Sequence, residues 1–194
     1  RYCRAQIDFV DINLSTGLID IVALEDKLRK ARSEGKLPKI LIPVHLTGTS
    51  CDMFHINKLS KEFGFKIIED ASHALGGKYR DNPVGNCEFS DITVFSFHPV
   101  KIITTGEGGV ATTNNLELAE RMKKLGSHGV VKDSTKFINE SPGPWAYEQQ
   151  TLGFNYRMTD IQAALGTSQL KRLDKIVEDR NLLFDRYEEN FDNK

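Results

Sequence analysis

The sequence predicts an α/β fold, with a mainly parallel sheet and helices on both of its faces. Short apolar segments alternate with longer segments of helical periodicity, as expected when strands are joined by crossover helices. Glycines follow the helical segments, where helices commonly end. Carboxylate, serine, histidine and lysine residues come at or just after the ends of two apolar segments. Ligands bind at this edge of parallel sheets.

Each predicted strand is a short apolar segment bounded by polar or turn-forming residues. The five predicted strands cover residues 7–12, 40–44, 65–69, 92–97 and 110–113. Three other segments carry apolar residues at helical spacing, which predicts helices over residues 21–32, 53–63 and 116–125. The predicted C-terminal stops of these helices are Gly35, Gly64 and Gly126.

Two connecting segments and the C-terminal part complete the predicted organisation. Residues 77–86 are rich in turn-forming residues, and residues 132–150 contain two prolines and no clean period, which predicts a long loop. Thr159 and Gln162 match a capping box and predict the start of a helix. Apolar residues at helical spacing continue beyond it, and they are Leu170, Leu173, Val177, Phe184 and Tyr187.

The composition excludes several classes of function. The 26 basic and 27 acidic residues nearly cancel, which gives no reason to expect nucleic acid or a membrane surface as a partner. No apolar run approaches the length that spans a membrane. Cys3, Cys51 and Cys87 are widely spaced, which favours free thiols in a reducing cytoplasm over disulfides or zinc. The histidines lack the spacing of metal ligands, so no metal site is predicted.

A lysine and an acid follow two of the predicted strands. Lys101 lies just past the strand at 92–97 and before a glycine-rich turn, where an amine is well placed to attack a carbonyl. Asp70 directly follows the strand at 65–69. Together they would supply the two contacts that pyridoxal phosphate (PLP) needs, an amine for a Schiff base and a carboxylate for the ring nitrogen. The alternatives are a solvated lysine and an aspartate that caps a helix.

Four motifs in this order resemble those of the DegT/DnrJ/EryC1/StrS sugar aminotransferases. They are residues 69–76 (EDASHALG), 96–101 (SFHPVK), 106–109 (GEGG) and 153–166 (GFNYRMTDIQAALG). The resemblance covers nearly the whole chain. Three further segments are most similar to the pseudaminic acid branch of the family, and they are residues 43–46, 127–129 and 144–150. That branch transfers an amino group to C4 of a UDP-linked 4-keto-6-deoxy-N-acetyl sugar.

The resemblance implies part of a fold-type I PLP-dependent transferase and assigns roles to several residues. Lys101 would form the Schiff base and act as general acid and base, and Asp70 would contact the ring nitrogen. Ser96 would bind the cofactor phosphate, although it could simply end the strand. Dehydratases of the family carry a histidine at the lysine position, so Lys101 indicates an aminotransferase.

The remaining site residues are assigned with an alternative beside each. His73 matches a position close to the cofactor ring, and a structural role is open. His98 has a structural or a substrate-binding role, and Glu107 is expected only to hold the turn. Asn155 and Arg157 lie in a loop that, by resemblance, crosses a dimer interface, where Asn155 would contact the partner's cofactor phosphate and Arg157 the nucleotide-sugar. An ordinary loop held by a cap and a salt bridge is the alternative.

These inferences predict a PLP-dependent aminotransferase that transfers an amino group from glutamate to the C4 keto carbon of a UDP-sugar. It would be a cytoplasmic homodimer with shared active sites. The alternatives are another nucleotide-sugar aminotransferase, of the 3-amino or perosamine type, and a catalytically silent family member that dimerises or regulates. Family members are longer, so we expect a central fragment. It would comprise a PLP-binding large domain over residues 1–170, lacking its N-terminal part, and a helix over 171–194 that leads toward a missing small domain.

Overall fold

The computed structural model describes residues 3–191, and the ends of the predicted first domain and last helix, residues 1–2 and 192–194, lie outside this range. The described helices are α1 (Ile21–Ser33), α2 (Met53–Phe63), α3 (Leu116–Gly126), α4 (Asp160–Leu170) and α5 (Leu173–Phe191). The described strands are β1 (Ile40–Leu41), β2 (Lys66–Asp70), β3 (Lys78–Tyr79), β4 (Asn82–Pro83), β5 (Ile92–Ser96), β6 (Gly109–Thr112), β7 (Val130–Val131) and β8 (Glu148–Gln149). Two short 3-10 turns occupy Leu46–Gly48 and Ser134–Lys136.

The central sheet has the strand order β1-β2-β5-β6. The β1–β2 and β2–β5 pairs are parallel, and β6 joins β5 in antiparallel orientation. In the register of the two central strands, Asp70 lies opposite Val94. The predicted α/β class and mainly parallel sheet are therefore confirmed. Two-stranded ribbons form beside the sheet from β3 with β4 and from β7 with β8.

The main hydrophobic core lies between the sheet and the helices α1 and α2. Its buried members include Leu24, Leu28, Ile56, Leu59, Phe63, Phe65 and Ile67. Each such side chain contributes about 1.5–3 kcal/mol when it is fully removed from water. The opposite face of the sheet carries Ile40, Ile42 and Val94, which are 51%, 57% and 38% exposed. Within residues 3–191, the close packing of α1 and α2 thus covers one face, while apolar side chains remain exposed on the other.

The helix ends follow the local signals in the sequence. The Gln162 and Thr159 pair forms the predicted capping box at the start of α4. Gly64 has a left-handed backbone at the end of α2, as expected for a C-terminal stop. Gly126 differs from the prediction by one residue, since it is the last residue of α3 and Ser127 is the cap. The predicted helix beyond Leu170 is confirmed over the described part of α5.

The prediction of a strand at residues 7–12 is wrong. This segment forms only an isolated bridge, between Ile12 and Ile19, and Phe9 is 81% exposed. Its backbone hydrogen bonds go to the turn that follows, for example from Asp20 N–H to the Asp11 carbonyl at 3.0 Å. With these groups paired locally, the segment does not join the sheet.

The predicted strand at residues 40–44 is shorter than expected but keeps its place beside β2. Only Ile40 and Leu41 form a regular strand, because Pro43 has no N–H to donate. The Pro43 carbonyl still accepts a hydrogen bond from Asp70 N–H at 2.9 Å, and Val44 forms a parallel bridge with Asp70. The segment therefore runs alongside the end of β2, where the candidate site lies.

Glu148 organises the predicted long loop at residues 132–150. Its carboxylate accepts hydrogen bonds from the Gln150 side chain, from the backbone N–H of Ile138 and Asn139, and from the Asn139 amide. The bonds from Gln150 and Ile138 lower the pKa of Glu148 most, to about 2. The loop thus keeps an irregular path and is held by one charged side chain.

The cysteines of the described range are free thiols. Cys3 is exposed, and Cys51 and Cys87 are buried. Burial raises the pKa of the Cys51 thiol to about 11.

The cytoplasmic location stays a prediction. Across residues 3–191, no helix has both the length and the apolar character that a membrane crossing requires.

Candidate active site

Asp70 stands at the carboxyl end of β2 with its backbone fixed on both sides. Its N–H donates to the Pro43 carbonyl at 2.9 Å, and its carbonyl accepts from His45 N–H at 3.0 Å. Its Oδ1 accepts a hydrogen bond from Ser72 N–H at 3.1 Å. Oδ2 accepts no hydrogen bond from any residue between 3 and 191, so it is available to a ligand.

Ser96 ends the neighbouring strand on the same face of the sheet as Asp70. Asp70 lies opposite Val94, and Ser96 is two residues further along β5, so their side chains point to one side. The Ser96 hydroxyl oxygen accepts a hydrogen bond from His98 N–H at 3.3 Å. Its own O–H donates to no acceptor within residues 3–191, so it is available to a ligand.

Lys101 lies in the turn that connects β5 to β6. Its N–H donates to the His98 carbonyl at 2.9 Å, and Thr105 N–H closes the turn on the Phe97 carbonyl at 3.0 Å. Ile103, which is 2% exposed, anchors the turn in the protein. Lys101 itself is half-buried. The turn thus holds the lysine at the sheet edge where Asp70 and Ser96 end their strands.

Two exposed histidines border this edge. The Nδ1 atom of His73 accepts a hydrogen bond from Thr47 N–H at 3.4 Å. The Nδ1 atom of His98 lies 2.8 Å from Oε1 of Glu107. The Glu107 carbonyl also accepts from the Gln162 side chain at 3.0 Å. Glu107 therefore holds the turn as expected, and in addition orients His98 and ties the turn to α4.

Asn155 and Arg157 lie beside the end of α3 rather than beside Asp70. Asn155 forms an isolated bridge with Ser127, and Arg157 Nη1 donates to the Ser127 hydroxyl at 3.3 Å. Within the described chain, neither side chain makes a hydrogen bond to Asp70, Ser96 or Lys101. The structure thus places Asp70, Ser96 and Lys101 at one edge of the sheet. The predicted roles of these three residues, like those of Asn155 and Arg157, stay predictions.

The buried carboxylate of Glu69 and its hydrogen-bond donors lie on the other face of β2. The sequence analysis did not predict them. Oε2 of Glu69 lies 2.7 Å from Nε2 of His45, and its Oε1 accepts from Thr93 at 2.7 Å and from Ser90. Burial raises the pKa of Glu69, but the hydrogen bonds from His45, Ser90 and Thr93 outweigh it, and the pKa is lowered overall. Ile67 and Glu69 lie on the same, covered face of β2, because side chains two residues apart in a strand point to one side. An acid on that face requires buried donors. The position of Glu69 two residues after an apolar residue was therefore the feature of the sequence that could have predicted this cluster.

The chemistry of the three gathered side chains fits PLP. A free carboxylate oxygen on Asp70 suits a protonated ring nitrogen, and the free hydroxyl of Ser96 suits a phosphate oxygen. The Lys101 amine suits the aldehyde carbon. In residues 3–191, no cluster of three or more His, Cys, Asp or Glu side chains is arranged to bind a metal ion.

Comparison with known proteins identifies one family. The model of the DegT/DnrJ/EryC1/StrS aminotransferase family matches residues 1–194. A Campylobacter jejuni protein described as UDP-4-amino-4,6-dideoxy-N-acetyl-beta-L-altrosamine transaminase is 39% identical over 188 residues, which cover 97% of this chain and 46% of that relative. The chain therefore spans about half the length of the curated relatives it matches.

Two solved structures share the fold. Helicobacter pylori PseC, described as an aminotransferase involved in the biosynthesis of pseudoaminic acid, superimposes with a TM-score of 0.83 at 35% identity, covering 96% of this chain and 46% of that one. The PMP form of Spr1654 from Streptococcus pneumoniae has a TM-score of 0.78 at 32% identity, covering 95% of this chain and 49% of that one. Spr1654 has also been solved in a PLP form.

Proposed function

The chain belongs to the DegT/DnrJ/EryC1/StrS aminotransferase family, and from this premise we propose that the whole protein is a PLP-dependent nucleotide-sugar aminotransferase. It takes an amino group from glutamate and transfers it to the C4 keto carbon of a UDP-linked 4-keto-6-deoxy-N-acetyl sugar. The observation that carries the proposal is the placement of Asp70, Ser96 and Lys101 at one edge of the sheet. The names of the Campylobacter and Helicobacter relatives support the sugar class.

Asp70 and Ser96 would hold the two ends of the cofactor. PLP, when bound, supplies an electron sink for the carbon that carries the amino group. The free carboxylate oxygen of Asp70 keeps a proton on the ring nitrogen, because a negative charge at hydrogen-bond distance favours the cationic form. The Ser96 hydroxyl would donate to the phosphate from the end of β5.

Lys101 would hold the cofactor aldehyde between reactions and transfer protons during them. The turn closed by Thr105 and Phe97 keeps its backbone fixed, and Lys101 itself is half-buried. A positioned amine can take a proton from one carbon and return it to another. His98, oriented by Glu107 at 2.8 Å, would face the substrate side of the turn.

A second copy of the chain would complete the site. The loop of Asn155 and Arg157 is flanked by Phe154, Tyr156 and Ile161, which are 59%, 77% and 84% exposed. Apolar side chains exposed side by side are typical of a protein interface. Burial of these residues against a second copy would bring Asn155 to the partner's cofactor phosphate and Arg157 to its nucleotide-sugar.

Titration of the purified chain with PLP, followed by borohydride reduction and peptide mapping, tests the cofactor site. We expect an absorbance band of a lysine-bound cofactor and a label on Lys101, which Lys101→Ala removes. Asp70→Asn is nearly isosteric and should weaken the band with the fold retained. A label on Lys78 or Lys123 would contradict the assignment. Absence of binding by the whole protein would instead favour a catalytically silent protein.

Substrate choice is tested with matched amino acceptors in the whole protein. Glutamate should convert the lysine-bound cofactor to its amino form, with the corresponding change in absorbance. A UDP-linked 4-keto sugar should then reverse that change, whereas a 3-keto isomer should not. Reversal by the 3-keto isomer alone would assign the protein to another branch of the family.

A further inference from the structure

A buried polar cluster lies directly behind Asp70, on the covered face of β2. It consists of His45, Glu69, Ser90 and Thr93. His45 and Thr93 are fully buried, and Glu69 is 5% exposed. A charge removed from water to this degree requires several donors in fixed positions. The proposed reaction uses none of these side chains.

The hydrogen bonds of His45 fix which ring nitrogen carries the proton. Cys51 N–H lies 3.1 Å from Nδ1 of His45. A backbone N–H can only donate, so Nδ1 is an acceptor and carries no proton. Nε2 lies 2.7 Å from the carboxylate of Glu69, which can only accept when it is ionised. His45 is therefore a neutral imidazole protonated on Nε2.

The backbone around His45 holds the backbone of Asp70. His45 N–H donates to the Asp70 carbonyl at 3.0 Å, and the Pro43 carbonyl accepts from Asp70 N–H at 2.9 Å. The Cys51 thiol closes the segment by donating to the Val44 carbonyl at 3.2 Å. The backbone that carries the His45 ring is thus bonded directly to the strand end that presents the Asp70 carboxylate.

The same segment reaches His73. Thr47 N–H donates to Nδ1 of His73 at 3.4 Å, so this ring also has an unprotonated Nδ1. Gly48 packs against the His73 backbone, since an added Cβ would lie 3.0 Å from the carbonyl oxygen. Thr47 has a φ of 58°, which is uncommon for a residue with a side chain and requires support from neighbouring contacts. The φ of 97° at Gly48 is one that glycine adopts readily.

We propose that His45 is the positioning residue of the candidate site. Held between Glu69 and Cys51, it fixes residues 43–48, and through them it sets the places of Asp70 and His73 relative to each other. The role of that arrangement in binding PLP rests on the proposed function. His45 itself touches neither substrate nor cofactor.

The first test reads the protonation of each histidine in the cofactor-free chain. Long-range proton–nitrogen correlation spectra of histidine-labelled protein distinguish the two neutral forms. We expect His45 and His73 to be protonated on Nε2 only, with His45 assigned by the loss of its signals in His45→Gln. A His45 ring that is doubly protonated, or protonated on Nδ1, would overturn the proposal.

The second test asks whether the two site residues depend on His45. His45→Phe removes the donor to Oε2 of Glu69 and leaves only those from Ser90 and Thr93 to Oε1. We expect the amides of Asp70 and Thr47 to exchange about tenfold faster, a larger change than in α1. The His73 nitrogen signals should also shift. His45→Gln keeps a neutral donor toward Glu69 and should restore much of both effects.

His55→Gln is the matched control, because His55 is exposed and bonded only to Asp52 among the described residues. It should leave Asp70, Thr47 and His73 unchanged. Equal exchange in wild type and His45→Phe, or no difference between the glutamine and phenylalanine variants, would refute the positioning role. These measurements need no cofactor, so failure to bind PLP would contradict the proposed function alone.

Discussion

Glu69 and Asp70 are consecutive acids with opposite surroundings, because successive side chains of a strand point to opposite faces. Glu69 is 5% exposed and surrounded by donors from His45, Ser90 and Thr93, whereas Asp70 keeps a free oxygen toward the open side. Glu69 thus stabilises the fold, and Asp70 remains available for a ligand.

Thr93→Val tests the structural role of the Glu69 charge. It removes one hydroxyl donor with little change of shape, and we expect a loss of about 1–3 kcal/mol in the free energy of unfolding at pH 7. Thr93→Ser keeps the hydroxyl and is the matched control, which should cost less. Urea denaturation measures both. Equal losses would mean that the donor contributes nothing.

The same variant should change the dependence of stability on pH. The pKa of Glu69 is lowered in the folded protein from its ordinary 4.5, so its stabilisation is complete above 4.5 and is lost as pH falls through the lowered value. Loss of the Thr93 donor moves that pKa back upward. The difference between wild type and Thr93→Val should therefore be largest above pH 5 and shrink below it. A difference that grows in acid would contradict this account.

At the residue scale, the sequence predicted that Asp70, Ser96 and Lys101 lie at the ends of neighbouring strands, but it did not predict the buried cluster behind them. Asp70, Ser96 and Lys101 follow from strand ends and motif order, which are local properties. The His45–Glu69 pair joins residues 24 positions apart in the chain, and no local pattern shows which buried acid will meet which donor.

The elements around the site are short, and their positions depend on close backbone contacts. Residues 127–131 and 148–155 run beside each other, with Gly129 N–H tied back to the Lys124 carbonyl at 2.8 Å. A Cβ on Gly129 would overlap the Thr151 carbonyl oxygen. This contact places the loop of Asn155 next to the end of α3.

Gly129→Ala tests that contact, and Gly35→Ala is its matched control. Both glycines have a left-handed backbone, with φ of 72° and 67°, but an added Cβ on Gly35 meets nothing within 4 Å. We expect Gly35→Ala to cost about 1–2 kcal/mol from backbone strain alone. Gly129→Ala should cost at least twice as much in urea denaturation. Equal costs would show that the Thr151 contact yields easily.

Helices and central strands were predictable because their signals lie within the element. Asp52 and Gly64 mark both ends of α2, and the observed helix has the predicted bounds. The strand predicted at residues 7–12 failed because strand formation needs a partner, and that segment pairs with its own turn through Ile12 and Ile19.

At the scale of the whole molecule, two apolar surfaces of the chain are exposed to solvent. Ile42 and Val94 on the sheet, and Phe154 and Ile161 beside the Asn155 loop, are between 38% and 84% exposed. The chain also spans about half the length of its curated relatives. The sequence alone could not show these surfaces, because exposure depends on how all elements pack together.

Ile161→Asp tests whether the surface beside the Asn155 loop joins two copies of the chain. Ile161 is 84% exposed, and burial of an isoleucine side chain contributes about 1.5–3 kcal/mol, so a buried aspartate there should raise the dimer Kd by at least about 100-fold. Leu14→Asp is the control, since Leu14 is 95% exposed in a turn near the start of the chain. Sedimentation velocity over a range of concentrations should show dimers for wild type and Leu14→Asp and monomers for Ile161→Asp. Monomers for all three would mean that Asn155 and Arg157 serve their own subunit. Dimers for all three would place the interface elsewhere.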